Sequence, residues 1–228
     1  GSSGIGVISD TDDQPLLIRS HLGTYALVTV GKINNLDELV KNAFQKGTSH
    51  FSEMSEGEIN QTELVATLIN NGKNYKEGIA RAQDLIEGSC SFLLMNEHGM
   101  YAARDKYGRT PLTVGEKRDS LTPLGQKTLI EPPKSRMVSM ETSTFPNLQY
   151  KTLKQLGPGE VIFIHKDGIE QIHLPKNKNK ICAFFWVYYG YPASTYERIN
   201  VEEVRYRCGA ALAKHDDVKP DLVAGIPD

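Results

Sequence analysis

A chain of 228 residues with 39% hydrophobic and 24% charged side chains is long enough to bury a core and accommodates one or two domains. With 26 Lys plus Arg against 28 Asp plus Glu, the formal charge of -2 gives no general affinity for nucleic acid or an anionic membrane surface. No apolar run approaches the roughly 20 residues of a membrane helix and no signal pattern opens the chain, while the odd, scattered Cys90, Cys182 and Cys208 argue against a disulfide framework and for a reducing, cytosolic setting.

In chain order, Gly1-Ser2-Ser3-Gly4 has the composition of a tag remnant. Asp10-Thr11-Asp12-Asp13 gathers carboxylates but lacks the central Gly and distal Glu of a calcium loop, so it is expected to be a solvated turn. A strand is expected over 25–30. Asn35 with Glu38 then has the spacing of a capping box, and Leu36, Leu39, Val40, Ala43 and Phe44 form one helical face before Gly47. Glu53, Glu56 and Glu58 are expected in an exposed acidic loop. Asn60 with Glu63 repeats the box ahead of Leu64, Val65, Leu68 and Ile69, and a further helix is expected over 75–86.

Residues 91–95 and 100–103 form a hairpin across the turn at 96–99. The polar, proline-containing stretch 117–134 is a surface loop. Residues 137–141 are extended, and 161–164 pairs with 169–173 across Lys166-Asp167-Gly168. The lysine-rich run 176–180 crosses through solvent. Asn200 with Glu203 opens a last helix whose stripe Val201, Val204, Cys208, Ala211 and Leu212 points to a core, and 221–225 has the composition of a buried strand. Helices first and hairpins later predict an α+β layered sandwich, with the start of an α/β unit beyond a boundary near 177–191.

Spacing alone yields no chemistry. The six histidines include no helical metal pair, and there is no Cys-x-x-Cys, Gly-x-Ser-x-Gly elbow or phosphate-wrapping Walker loop. Each cysteine is by default a small buried hydrophobe.

Ordered blocks do carry a resemblance. Thr29-Val30-Gly31 stands where amidophosphoribosyltransferases have His-Asn-Gly, and Asn60-Gln61-Thr62-Glu63 where they have Ser-Asp-Thr-Glu. Residues 103–112 are similar to their Arg-Asp-Pro-x-Gly-x-Arg-Pro-Leu block. Ser139-Met140-Glu141-Thr142 resembles Ala-Ser-Glu-Thr, Gly157-Pro158-Gly159-Glu160 a Pro-Gly-Glu turn, and 182–196 a Cys-x-x-Glu-Tyr stretch that ends in Pro-Asp-Ser. The resemblance runs the length of the chain.

It implies a four-layer αββα N-terminal-nucleophile hydrolase sandwich over 1–180, a class II glutamine amidotransferase domain truncated at both ends. Residues 181–228 would be the linker and start of an α/β phosphoribosyltransferase domain, with the strand 221–225 leading to Ile226-Pro227-Asp228 at a ligand-binding end. The parent would transfer ammonia, free or from glutamine, to phosphoribosyl pyrophosphate in purine synthesis, as a homo-oligomer. The family's nucleophile is an N-terminal Cys, for which residue 1 here is Gly. Gly31 would keep one oxyanion donor, while Val30 lacks the family's Asn amide and Gln61 replaces the Asp that holds the substrate's α-ammonium. A degenerate, inactive glutaminase is therefore expected. The alternative is a non-catalytic amino-acid-binding or oligomerisation module. No cofactor is expected in these residues. The parent would use Mg2+ and, with Cys182 as one of four thiolates, a [4Fe-4S] cluster.

Overall fold

Apolar strand residues from the first hundred or so positions, joined by a later hairpin, build one antiparallel sheet with helices on one side of it. The protein is represented by a computed structural model that describes residues 2–9, 12–47, 50–52, 54–55, 58–118 and 134–225. Strands β1 (Leu16–Ser20) and β2 (Gly23–Ile33) form a hairpin. Helix α1 (Leu36–Gln45), the short hairpin β3 (Met54–Ser55) and β4 (Glu58–Ile59), and helices α2 (Gln61–Asn70) and α3 (Tyr75–Leu85) follow. β5 (Gly88–Asn96) and β6 (Gly99–Ala103) make the expected second hairpin. Next come β7 (Thr113–Arg118), β8 (Lys134–Ser139), α4 (Thr144–Asn147), β9 (Lys151–Gln155), and the hairpin β10 (Val161–His165) and β11 (Gly168–His173).

Two sheets result. The larger has the order β1-β2-β5-β6-β10-β11, the smaller β8-β7-β9. The long β2–β5 pairing runs from Tyr25 opposite Asn96 to Ile33 opposite Gly88. β5 is covered on both faces, as its unbroken apolar run requires: Phe92 and Leu94 join Leu64, Val65, Ile69 and Ile79 under the helices, while Leu93 between them packs on the opposite side. On that side Ala102, Ile162 and Ile164 meet Leu112, Val114 and Leu156. The outer face of the small sheet is closed by α4, whose buried Phe145 lies so close to Gly115 that a Cβ there would sit 2.9 Å from the ring. The order of layers is thus α, β, β, α, as the resemblance implies, with the outer helical layer reduced to α4.

The helix caps are only partly those expected. Asn60 accepts from the N–H groups of Thr62 and Glu63, but Glu63 reaches to Ser52 N at 2.9 Å instead of back to the cap. Asn35 makes no cap bond at all. Its side chain bridges Leu85 O and Glu87 N, tying α1 to the loop after α3. Asn74 with Glu77 is a further Asn cap of the same spacing.

The carboxyl-terminal expectations differ most. A π-helical turn (Phe185–Tyr189), β12 (Thr195–Tyr196), β13 (Ile199–Asn200) and α5 (Val201–Ala213) follow the sandwich. Asn200 caps α5, but only Val201 of the apolar stripe is buried; Cys208 and Ala211 are exposed and Leu212 is 73% exposed. Residues 221–225 are irregular, with Leu222 86% exposed. A strand needs a neighbour for its backbone groups, and among the described residues none lies alongside. Ile226-Pro227-Asp228, Glu53, Glu56 and loop residues 119–133 lie outside the described residues, while Lys117 and Lys134, expected in that loop, belong to β7 and β8. Among the described residues no helix is long and apolar enough to cross a membrane.

Candidate functional site

β1 covers the edge of β2 only from Gly23 to Leu27, and β2 runs on to Ile33. In an antiparallel pair the peptide groups of alternate residues point to the same edge, so Thr29, Gly31 and Ile33 present theirs where β1 has ended. Side chains take over the missing strand's work. The Gln14 carboxamide accepts from Thr29 N at 2.8 Å and donates to Thr29 O at 3.1 Å, while Gln61 Oε1 accepts from Ile33 N at 3.1 Å. Gly31 lies between these two glutamines.

The same region is pinned to the start of α2. Thr62 Oγ1 is 2.7 Å from Thr29 Oγ1 and donates to Gln14 Oε1, and Asn60 donates to Asp13 O at 3.0 Å while capping the helix. A recess of about 150 Å³ opens here, lined by Asp12, Gln14, Val30, Gly31, Gln61 and Cys90 among others. The structure therefore brings together Val30, Gly31 and Gln61, the three positions singled out near the family's substrate pocket.

Each has a definite environment. Gly31 has φ +139, and a Cβ on it would sit 1.9 Å from Ser89 O, so glycine is required by the close β2–β5 approach whatever else its N–H does. Val30 contributes no hydrogen-bond donor. Gln61 is a neutral wall whose carbonyl oxygen is already engaged. Asp12, expected in a solvated turn, is instead a carboxylate lining the recess, its own N–H held by Ser9 Oγ at 3.0 Å. No sequence pattern marks it, because the contact depends on how Gln14 seats the preceding residues.

Cys90 is buried in the recess wall, and burial, reinforced by the negative charges of Asp105 and Asp12, pushes its thiol up to about 12. At neutral pH it is a protonated thiol with little nucleophilicity. Cys182 is exposed rather than buried and is not among the residues lining the recess. Among the described residues no group of three or more His, Cys, Asp or Glu could hold a metal ion.

The remaining family-like blocks converge elsewhere, on a buried polar network. Arg104 is 1% exposed; it donates to the carbonyls of Leu156 and Gly108 and pairs with Glu197 at 2.7 Å. Asp105 accepts from the N–H groups of Tyr107, Arg109 and Thr110. Glu160 is tied to Lys154 and Gly157 N. Glu141 accepts from Ser194 Oγ and Tyr196 OH, and Thr142 Oγ1 from Thr195 N at 2.7 Å. Burial and the Glu141 carboxylate raise the Tyr196 phenol, which stays a donor. These motifs fasten residues 194–197 to the sandwich.

Comparison with known proteins agrees with this fold. A family model described as a glutamine amidotransferase domain matches residues 3–125. The amidophosphoribosyltransferase of Bacillus subtilis is 30% identical over 219 residues, covering 94% of this chain and 42% of that protein, and the human enzyme is 28% identical, covering 94% and 43%. The chain thus spans less than half the length of these relatives. The solved structure of an allosteric regulatory enzyme of purine biosynthesis superposes with a TM-score of 0.79 at 30% identity over 94% of this chain and 43% of that one. The B. subtilis glutamine phosphoribosylpyrophosphate amidotransferase, complexed with ADP and GMP, gives 0.74 at 29% over 91% and 42%. With more than half its length matched by the family model and a sandwich shared with these enzymes, the chain belongs to the glutamine amidotransferase domain family.

Proposed function

We propose that this domain serves an amidophosphoribosyltransferase-like protein that transfers ammonia to phosphoribosyl pyrophosphate, and that its own glutamine-hydrolysing site is degenerate. The single observation that carries the second half is Gln61, a neutral carboxamide bonded to Ile33 N in the recess wall. Hydrolysis of a carboxamide needs a thiolate to attack the carbonyl carbon, preorganised donors for the resulting oxyanion, and an anchor for the substrate's α-ammonium. Gly31 retains a backbone N–H. Val30 supplies no second donor, a loss that typically costs about 10²- to 10³-fold in rate. Cys90 is protonated and cannot stand in as nucleophile. Replacing a carboxylate by Gln61 removes the charge-assisted part of ammonium binding.

Phosphoribosyl pyrophosphate and Mg2+ would be bound by residues beyond the sandwich, in a homo-oligomer, and the domain boundary would fall near 180. An iron-sulfur cluster, with the exposed Cys182 as one of its four thiolates, would likewise belong to the parent. A second reading is favoured by Asp12: its carboxylate in the recess supports binding of an amino acid's ammonium without cleavage.

Phosphoribosylamine formation by the full-length protein, with glutamine and separately with an ammonium salt, tests the proposal. Activity with ammonium and none with glutamine is expected. Efficient use of glutamine overturns the degenerate site. Calorimetric binding of glutamine to this chain, with no ammonia released and with loss of binding in Asp12→Asn, establishes the second reading.

A further inference from the structure

The lysine run 176–180, expected to be a solvated crossing, comes against the loop after β6. Around the half-buried Tyr107 ring stand four cations from these two segments: Lys180 Nζ 5.0 Å from the ring centroid, and Lys106 Nζ, Arg109 Cζ and Lys178 Nζ each at 5.8 Å. No two of them can be farther apart than twice 5.8 Å. Lys180 N also bonds to Tyr107 O at 2.8 Å, which fixes the crossing segment onto the loop.

Gathering like charges in this way is unfavourable unless something neutralises them. One aromatic ring offers each cation only a weak quadrupole attraction and carries no net charge. The nearby carboxylates are committed elsewhere. Asp105 is turned into its own loop, accepting from the N–H groups of Tyr107, Arg109 and Thr110. Asp84 pairs with Lys176 at 2.9 Å, and Glu197 with the buried Arg104. Among the described residues Arg109, Lys178 and Lys180 make no ion pair, and Arg109 Nε is buried without a hydrogen-bond partner.

We propose that the Tyr107 cluster is a binding site for a small polyanion of the diphosphate class, held between the Lys106 and Arg109 side and the Lys178 and Lys180 side. The cations come from two segments that flank one ring, so the ligand must present anionic oxygens in two directions. A diphosphate does this, and a guanidinium with three ammonium groups offsets its charge. The backbone N–H groups of the loop are already filled by Asp105, so recognition rests on side chains and is sensitive to salt. This site is separate from the recess at Gly31 and does not depend on the function proposed for it.

Titration calorimetry of this chain with inorganic pyrophosphate at low ionic strength, with sulfate as the single-centre comparison, is the test. Saturable pyrophosphate binding is expected, tighter than sulfate and weakened by added salt. Lys178→Gln with Lys180→Gln is expected to weaken it about 100-fold, roughly tenfold for each charge-assisted contact, with the unfolding temperature of the ligand-free protein not lowered, because both side chains are exposed and their loss relieves repulsion in the cluster. No saturable binding at millimolar pyrophosphate overturns the proposal. Binding undiminished in the double variant, or equal for sulfate, does so as well.

Discussion

Glu197→Gln isolates the ion pair that fastens the carboxyl-terminal segment to the sandwich. Arg104 is 1% exposed and its partner Glu197 31% exposed. Breaking a fully buried pair costs about 3–5 kcal/mol, and an exposed one is worth about 0–1 kcal/mol. One partner here is partly in water, the guanidinium keeps the carbonyls of Leu156 and Gly108, and Gln retains an acceptor oxygen, so a loss of about 2 kcal/mol is expected. For a chain of this size that lowers Tm by about 4–8 °C. The left-handed turn at Glu197 (φ 48) and Arg198 (φ 66) is preserved, since Gln has the same backbone demands. Thermal unfolding followed by circular dichroism is the assay, with Arg104→Met and the double variant completing a cycle. The double variant should be less destabilised than the sum of the singles, because no unpaired charge remains. A Glu197→Gln protein melting within about 1 °C of the parent would refute the reasoning.

Gly31→Ala places a methyl 1.9 Å from Ser89 O at a φ of +139; a loss of about 3 kcal/mol or more is expected in denaturant unfolding, and an unchanged midpoint would show that β2 and β5 are less closely apposed. A thiol reagent at mildly alkaline pH should modify the exposed Cys182 and Cys208 and reach Cys90 only after unfolding; rapid native-state labelling of all three thiols counts against a buried Cys90. Folding raises the Cys90 thiol from its ordinary value of 9.0 to about 12. Below pH 9 both states are protonated, and above it the unfolded chain releases the proton first. The unfolding midpoint should therefore fall as pH rises from 9 towards 12, and Cys90→Ala should flatten that dependence.

The sandwich was legible because its signals are local and mutually consistent. Alternation marked the hairpins at 91–103 and 161–173, and the one-face stripes marked α1 and α2. The caps were only half legible: an Asn three residues before a Glu names a helix start, but which acceptor the Glu finds depends on whether Ser52 or a cap N–H is nearer in space. Cys208 and Leu212 show the opposite failure, since an apolar stripe says that a helix face seeks cover and not that these residues contain the cover. At the site, Val30, Gly31 and Gln61 emerged from motif order and do line one recess. Gln14 and Asp12 did not. Gln14 is placed by its bonds to Thr29 across 15 residues of chain, and Asp12 follows its neighbour Asp13, whose carbonyl Asn60 holds across 47 residues, which no short-range pattern encodes.

The stretch of β2 between the two glutamine surrogates is a main-chain site. Its dipoles at Gly31 are fixed by strand geometry and by the close approach to Ser89, so side-chain drift around it leaves the orientation of those dipoles intact. Chemistry at such a place can be lost or exchanged by altering two or three flanking residues while the scaffold continues to fold unaltered. The cavity is in this sense inherited from the architecture, and its occupant is negotiable.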